Sequence, residues 1–334
     1  MRVGIFNEVT GGKARFELYK EKYKNVLELI AFDCHATYEN LDKIAENQCE
    51  ALIYFNPKRE DEAFFKKMSE QGIKYLSTTS TGYDHYNLEA MKKYGIKGAN
   101  VPVYSPNSVA EHAVLLTLSV LRNYREQLLR IENGRYDIGG LMGKEIRNQV
   151  IGIVGTGRIG ATTARCLSGF GPKNMLAYAH HENPALKELV TYVDLDTLYR
   201  TCDVILFHCS ATAENYHMID KNAIEKMKDG VILINTARGT IFDTPAIVEA
   251  VKSGKIGGLG LDVIEGEEKL RGGTSGQNCP IPELAELLQH YNVTFTQHTA
   301  FYTDEAYRNI TETAIDNLLE YEKYGSCERE LVKE

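Results

Sequence analysis

The sequence predicts an α/β protein of two units, each a parallel sheet with helices on its faces. Three observations predict it. The chain has 334 residues, roughly twice a usual domain of ~100–200 residues. Short apolar runs alternate with amphipathic stretches from end to end, the signature of strand–helix–strand crossovers. One glycine-rich turn, "VIGIVGTGRIG" at 150–160, falls near the middle of the chain, so a separate α/β unit precedes it.

In the first hundred residues "RVGIF", "LELIAF", "ALIYF" and "KYLST" read as strands, being short, apolar and rich in β-branched or aromatic side chains. "ENLDKIAEN" and "EDEAFFKKMSEQG" between them have helical spacing. The charged run "PKREDEAFFKK" reads as a solvated helix face. Pro106 suits a first helical turn and opens one long helix read to about Arg130, "PNSVAEHAVLLTLSVLRNYREQLLR", whose valines and leucines mark it as buried. The second unit runs from Val150 to about Thr296, with strands "VIGIV", "NMLAYA", "DVILFH", "VILINT", "IGGLGLD" and "VTFTQ". "TDEAYRNITETAIDNLLEYEKYG" is one long amphipathic helix, free to return to the first unit. The glycine-rich stretch inside "EGEEKLRGGTSGQNCPIPELAELLQ" reads as an exposed loop.

Hydrophobic residues make up 43% and charged residues 25%, ordinary for a soluble globular chain. The formal charge is -8 and no long basic run occurs, which argues against nucleic-acid and membrane partners. "MRVGIFNEVTGG" has no signal-peptide core, and no run of 18 apolar residues exists. The seven cysteines are scattered, without a CxxC pair, and read as reduced thiols of a cytoplasmic protein with no metal role.

In "GTGRIG" the glycines are Gly155, Gly157 and Gly160. The first makes a tight turn, the second admits a phosphate close to backbone, and the third lets helix pack on strand. The amides of Arg158 and Ile159 then sit at a helix start, where an anion is favoured. A dinucleotide cofactor is the reading. The next strand usually ends in an acid that holds the adenosine ribose. Here Ala179, His180 and His181 stand at its end, with no carboxylate until Glu182. That removes an acceptor for the ribose and also the charge that repels a 2′-phosphate. NAD and NADP both stay open.

Three further stretches follow strands. "INTARGTIFD" carries Arg238, "GLDVIEGEE" carries Asp262, Glu265, Glu267 and Glu268, and "FTQHTAFYT" carries His298. An arginine can clamp a carboxylate and a carbonyl oxygen. A histidine backed by a carboxylate can protonate that carbonyl as hydride reaches carbon. The set suits reduction of a 2-oxo acid, and chemistry alone does not choose among the three glutamates. His208 in "VILFHCS" reads as structural.

On "NVPVYSPNSVAEHAV", "GIVGTGRIG", "NTARG", "DVIEGEE" and "HTAFYTDEA", the chain resembles the D-2-hydroxyacid dehydrogenase family and its D-lactate dehydrogenase branch. "DVIEGEE" and "HTAFYT" are similar to the D-lactate dehydrogenases of vancomycin-resistance systems. The resemblance implies a Rossmann-like cofactor domain, residues 102–299, inserted into a flavodoxin-like substrate domain, residues 1–101 and 300–334. It implies a homodimer through the cofactor domain and a small 2-oxo or 2-hydroxy acid as substrate, with pyruvate reduced to D-lactate. A larger branched or aromatic 2-oxo acid is the alternative. A nicotinamide-sensing binding protein on the same fold is the rival of another class.

By the same resemblance Arg238 binds substrate, His298 is the acid/base and Glu267 its partner. Asp262 contacts the nicotinamide amide. Thr236 and Ala237 of "NTARG", and Cys209 and Ser210 of "FHCSATAENYHMI", line the cofactor. Tyr104 lines the substrate site, and the amides of Thr81 and Gly82 in "TSTGYDH" hold the substrate carboxylate. The chain departs from the pattern at Gln297, where proline is usual, at Ala179, and at Tyr83, where smaller aliphatic residues are common.

Overall fold

Two parallel sheets organise the computed structural model, which describes residues 1–6, 12–56, 59–83, 85–270 and 279–332. The chain divides into two compact units, 1–105 with 303–334, and 106–302. In order, the first stretch forms β1 (Arg2–Phe6), α1 (Lys13–Tyr23), β2 (Glu28–Phe32), α2 (Leu41–Glu46), β3 (Ala51–Ile53), α3 (Glu62–Glu70), β4 (Tyr75–Ser77), α4 (Leu88–Lys93) and β5 (Lys97–Ala99). Then come α5 (Pro106–Leu121), α6 (Tyr124–Glu132), β6 (Val150–Val154), α7 (Arg158–Ser168), β7 (Asn174–Tyr178), β8 (Thr191–Tyr192), α8 (Leu195–Thr201) and β9 (Val204–Phe207). The last are α9 (Lys221–Lys226), β10 (Val231–Asn235), α10 (Thr244–Ser253), β11 (Ile256–Leu261), α11 (Pro282–Leu287), β12 (Val293–Phe295) and α12 (Asp304–Tyr324).

The first unit holds a five-stranded sheet in the order β2-β1-β3-β4-β5, all parallel. This is the flavodoxin-like order. Helix α12 belongs to this unit. Thr303 caps it by accepting from the Ala306 amide, and Gly325 ends it with a left-handed φ of 67°. Its Tyr321 ring stacks on Tyr75 at 4.8 Å. Its buried Asn317 donates to Ser77 Oγ and to the Asn100 carbonyl, both at 3.0 Å.

The second unit holds a seven-stranded sheet, β12-β11-β10-β9-β6-β7-β8, again parallel throughout. Counted within the unit, its order reverses between the first and fourth strands, β6 and β9, as in Rossmann folds. Each central strand feeds two cores. On β9, Val204 and Leu206 join the cluster around α5 and α7, while Ile205 and Phe207 join the cluster that includes residues of α8 through α11. Strands buried on both faces read as continuous apolar runs, which is why "VILF" and "VILIN" are so legible.

The elements differ from the sequence reading in two respects. The helix read from Pro106 to Arg130 is two helices, broken at Asn123 with φ 49°. Asparagine tolerates that left-handed conformation, and the carbonyl of Leu121, at the end of α5, accepts from the Lys144 amide at 2.8 Å instead of continuing. Strands β5 and β8 carry too little apolar pattern to be read. The glycine-rich stretch 271–278, read as an exposed loop, and Asp84 of "TSTGYDH" lie outside the described residues. Among the described residues no helix is long and apolar enough to cross a membrane.

Candidate active site along the carboxyl edge of the seven-stranded sheet

The residues singled out in the second unit lie in spatial order along one edge. His298 follows β12, Asp262 and Glu267 follow β11, Arg238 follows β10, and Cys209 and Ser210 follow β9. The glycine turn follows β6, and Ala179 to His181 follow β7. In open α/β sheets ligands bind at this edge, beside the strand-order reversal.

The glycine turn fits a dinucleotide. Gly155 has φ 92°, and a Cβ there would lie 2.7 Å from the Cys209 amide nitrogen. A Cβ on Gly160 would come within 1.9 Å of the Gly155 carbonyl oxygen, so helix α7 reaches β6 only because residue 160 has no side chain. A Cβ on Gly157 would meet nothing within 4 Å. The middle glycine thus keeps space open where α7 begins, with Arg158 and Ile159 as its first residues. Backbone amides at a helix start beside an open cradle suit a pyrophosphate.

The loop after β7 is tied to this turn. Asn183 donates through Nδ2 to the Thr156 carbonyl at 3.2 Å. Tyr192 Oη donates to Thr156 Oγ1 at 3.1 Å and accepts from the Asn183 amide at 2.8 Å. Ala179 is partly buried, and His180 and His181 are exposed.

After β9, His208 is held neutral. Burial pulls its pKa down to about 4, and its Nδ1 lies 3.4 Å from Thr236 Oγ1. The Cys209 thiol is pushed up by burial, which works against its reactive thiolate form. Ser210 is exposed, and its carbonyl accepts from Asn215 at 2.7 Å.

After β10, the side chain of Asn235, fully buried, braces the arginine turn. It accepts from the Ala237 amide and donates to the Arg238 carbonyl, both at 2.9 Å. Thr236 and Ala237 are buried beneath it. The Arg238 side chain is exposed and rests on its neighbour, donating to the Ala237 carbonyl at 2.8 Å.

The histidine is held by Asp262. This aspartate is 1% exposed, and a carboxylate so buried must be well bonded. Its Oδ1 accepts from the Thr299 amide at 2.8 Å and from Thr296 Oγ1 at 2.6 Å, and its Oδ2 accepts from the Ala300 amide at 3.0 Å. Its carbonyl accepts from the His298 amide at 2.8 Å. These bonds fold residues 296–300 around one side chain and set His298 at φ 56°, a left-handed conformation that few residues with a side chain adopt, histidine more often than most. Gln297 thus stands in a loop fixed by Asp262 and not by a proline.

Of the three glutamates, Glu267 is the one that reaches the histidine. Its Oε1 lies 2.6 Å from His298 Nδ1. A carboxylate only accepts, so Nδ1 carries the proton and Nε2 is the nitrogen left to exchange one. Glu268 is exposed, and Glu265 turns to Tyr216 and His217.

In the first unit, the stretch 78–83 follows β4. Thr81 Oγ1 donates to the Val101 carbonyl at 2.9 Å, Asn100 donates to the Thr81 carbonyl at 2.7 Å, and Ser80 Oγ donates to the Gly82 carbonyl at 2.6 Å. The Gly82 carbonyl is thus engaged from within the loop and the Thr81 carbonyl from Asn100, just after β5. The Tyr104 carbonyl accepts from Asn309 at 2.6 Å.

Sequence reasoning missed four contributors: His112, Asn235, Tyr216 and His217. His112 lies inside the quoted "SVAEHAV", yet its partner Thr296, at 2.8 Å, is 184 residues away, and no local pattern links them. Burial pulls the pKa of His112 down against the opposing charge of Asp262. Asn235 directly precedes "TARG", and a polar residue closing an apolar strand was the available signal.

Comparison with known proteins gives the geometry its context. Residues 114–300 match the family model "D-isomer specific 2-hydroxyacid dehydrogenase, NAD binding domain". The chain is 40% identical over 318 residues to an aromatic 2-oxoacid reductase of Clostridium sporogenes, covering 95% of each chain. It is 35% identical over 334 residues to the D-lactate dehydrogenase of Escherichia coli, covering 99% of this chain and 100% of that one. A solved structure of D-2-hydroxyisocaproate dehydrogenase superposes with a TM-score of 0.89 at 31% identity, covering 100% of both. The matched NAD-binding domain carries the glycine turn, Arg238, Glu267 and His298 together, and the chain belongs to the D-isomer-specific 2-hydroxyacid dehydrogenase family.

Proposed function

We propose that the chain reduces a 2-oxo acid to the (R)-2-hydroxy acid, with His298 as proton donor. The observation that carries this reading is the 2.6 Å contact between His298 Nδ1 and Glu267 Oε1, which orients the ring and leaves Nε2 as the nitrogen that exchanges a proton. A bound nicotinamide dinucleotide supplies the hydride. His298 Nε2 delivers the proton to the carbonyl oxygen, and Glu267 steadies the imidazolium until then. Arg238 clamps carboxylate and carbonyl through its planar fork. Reduction draws on the protonated ring and oxidation on the neutral one. Asp262 has about one lone-pair direction left beyond its three bonds, enough to take a carboxamide N–H. The carboxylate-binding role of Thr81 and Gly82, and the lining role of Tyr104, are part of the same reading and rest on the family resemblance.

The first substrate is pyruvate, in line with the D-lactate dehydrogenase relative. A second reading, an aromatic 2-oxo acid, is favoured by the higher identity to the Clostridium reductase. The loop at Ala179 supports use of NADPH beside NADH, because no carboxylate stands at the strand end and two exposed imidazoles do. Initial rates on pyruvate, 2-oxobutanoate, 4-methyl-2-oxopentanoate and phenylpyruvate, with each cofactor, test all of this. Turnover of none of them, with cofactor bound, sinks the reductase reading.

The chain acts as a homodimer through the second unit. Support comes from α6 and the segment after it, where Tyr136, Ile138 and Met142 are 80%, 84% and 92% exposed, an apolar surface a second copy would cover. Sedimentation of the native chain against Ile138→Lys decides it, and a native monomer refutes it. Seven free thiols fit a cytoplasmic location.

A further inference from the structure

The turn that presents Glu267 is gripped from its other side by a second carboxylate–imidazole pair. His217 Nε2 lies 2.9 Å from Glu265 Oε2, and Tyr216 Oη donates to Glu265 Oε1 at 3.2 Å. The Tyr216 and His217 rings stack at 3.9 Å. The His217 amide donates to the Thr240 carbonyl at 2.9 Å, anchoring this pair of rings to the turn after Arg238. A Cβ on Gly239 would lie 2.3 Å from the Glu265 amide nitrogen, so the backbone at 264–265 packs directly on the residue after Arg238. Gly266 then reverses the chain with φ 78°, and Glu267 follows.

His217 sits at φ 52°, a left-handed conformation that residues with a Cβ seldom adopt. The side chains of His217 and Glu265 are 29% and 31% exposed, and a contact so open to water adds little to stability. Left-handed residues held in place by their surroundings persist where geometry serves a site. The geometry here is the aim of Glu267. Glu267 is bonded within the same turn, its amide donating to the Ile264 carbonyl at 3.2 Å and its Oε2 accepting from the Ile264 amide at 3.4 Å, so a shift of the backbone at 264–265 carries Glu267 with it.

We propose that Tyr216 and His217 are positioning residues that, by holding Glu265, fix the Gly266 turn and so aim Glu267 at His298. The inference rests on His298–Glu267 being the proton-donating couple. The loops after β9, β10 and β11 are thereby locked into one frame around Arg238 and Glu267.

The test is nitrogen-edited NMR of the imidazoles, read beside kinetics. The Nδ1–H of His298, bonded to Glu267, is assigned by its loss in His298→Gln. In His217→Ala that resonance should broaden or move upfield, and kcat should fall about tenfold, as misplaced catalytic groups do. The Kd for cofactor should stay within about twofold, because the binding cradle is untouched. His217→Gln keeps an N–H donor for Glu265 and should recover most of the loss. Should His217→Ala fail to fold, Tyr216→Phe, which keeps the ring stack, should show the same changes at smaller size. A folded variant with the resonance and kcat unchanged overturns the proposal, as does a loss carried by cofactor affinity alone. The resonance needs no substrate. A pair disturbed by His217→Ala in a chain that turns over no 2-oxo acid would refute the reaction and leave the positioning role standing.

Discussion

At its β6 end the carboxyl edge is built from backbone, and at its β10–β12 end from side chains locked on other side chains. The first region is three glycines and a helix start, where what matters is an absence: no Cβ at 155, 157 or 160. The second is a lattice in which Asp262 holds the histidine loop, Asn235 holds the arginine turn and Glu265 lies under two rings. A cradle for a phosphate needs only space and amides, which a short local motif supplies. A proton donor needs an imidazole held within a few tenths of an ångström, which takes partners from several loops.

The comparison predicts where damage falls. His298→Gln removes the proposed proton donor and should lower kcat/KM by about 10²–10⁴, with cofactor affinity unchanged by direct titration. An equal loss of cofactor binding would mean the two regions are not separable. Asp262→Ala strips the acceptor from two amides and a hydroxyl in a buried site. It should cost about 2–4 kcal/mol of stability and most of the activity, read by thermal unfolding and by kcat together.

At the other end the glycines should part company. Gly160→Ala drives a Cβ into the Gly155 carbonyl and should destabilise the fold by about 1–3 kcal/mol or more. Gly157→Ala meets open space, so Tm should hold while cofactor affinity falls about tenfold, the loss of one phosphate contact of ~1.4 kcal/mol. Equal losses of Tm in both would show that position 157 is structural.

A separate effect, away from both ends of the edge, concerns pH. The unfolded imidazole takes its proton near ~6.5, whereas folded His208 does so only near about 4. Between those values the unfolded state binds more protons, so stability present at neutral pH is lost as the pH falls. By pH 5 the loss is on the order of 2 kcal/mol. His208→Leu should flatten that limb in a series of thermal melts, and an unchanged slope would assign it elsewhere, His112 being the next group pulled down by burial.

The sequence by itself determined the alternating architecture, the glycine turn, and the residue types at the strand ends. These are local: an apolar run buried on both faces declares a strand, and a turn of fixed spacing declares its backbone. Arg238 and His298 were legible because strand ends in such folds point at ligands. Chemistry by itself left Glu265, Glu267 and Glu268 open and the resemblance pointed to Glu267; the tertiary structure puts Glu267 2.6 Å from His298 and turns Glu265 to Tyr216 and His217. It alone broke the helix at Asn123, where a carbonyl found a partner 23 residues later in the chain. It alone joined His112 to Thr296 and made Asp262 the post around which the histidine loop is wound. The physical reason is range. Propensity and turn chemistry act over a few residues, whereas a buried carboxylate or imidazole must be satisfied by whatever the fold brings to it, and the fold brings those partners from far along the chain.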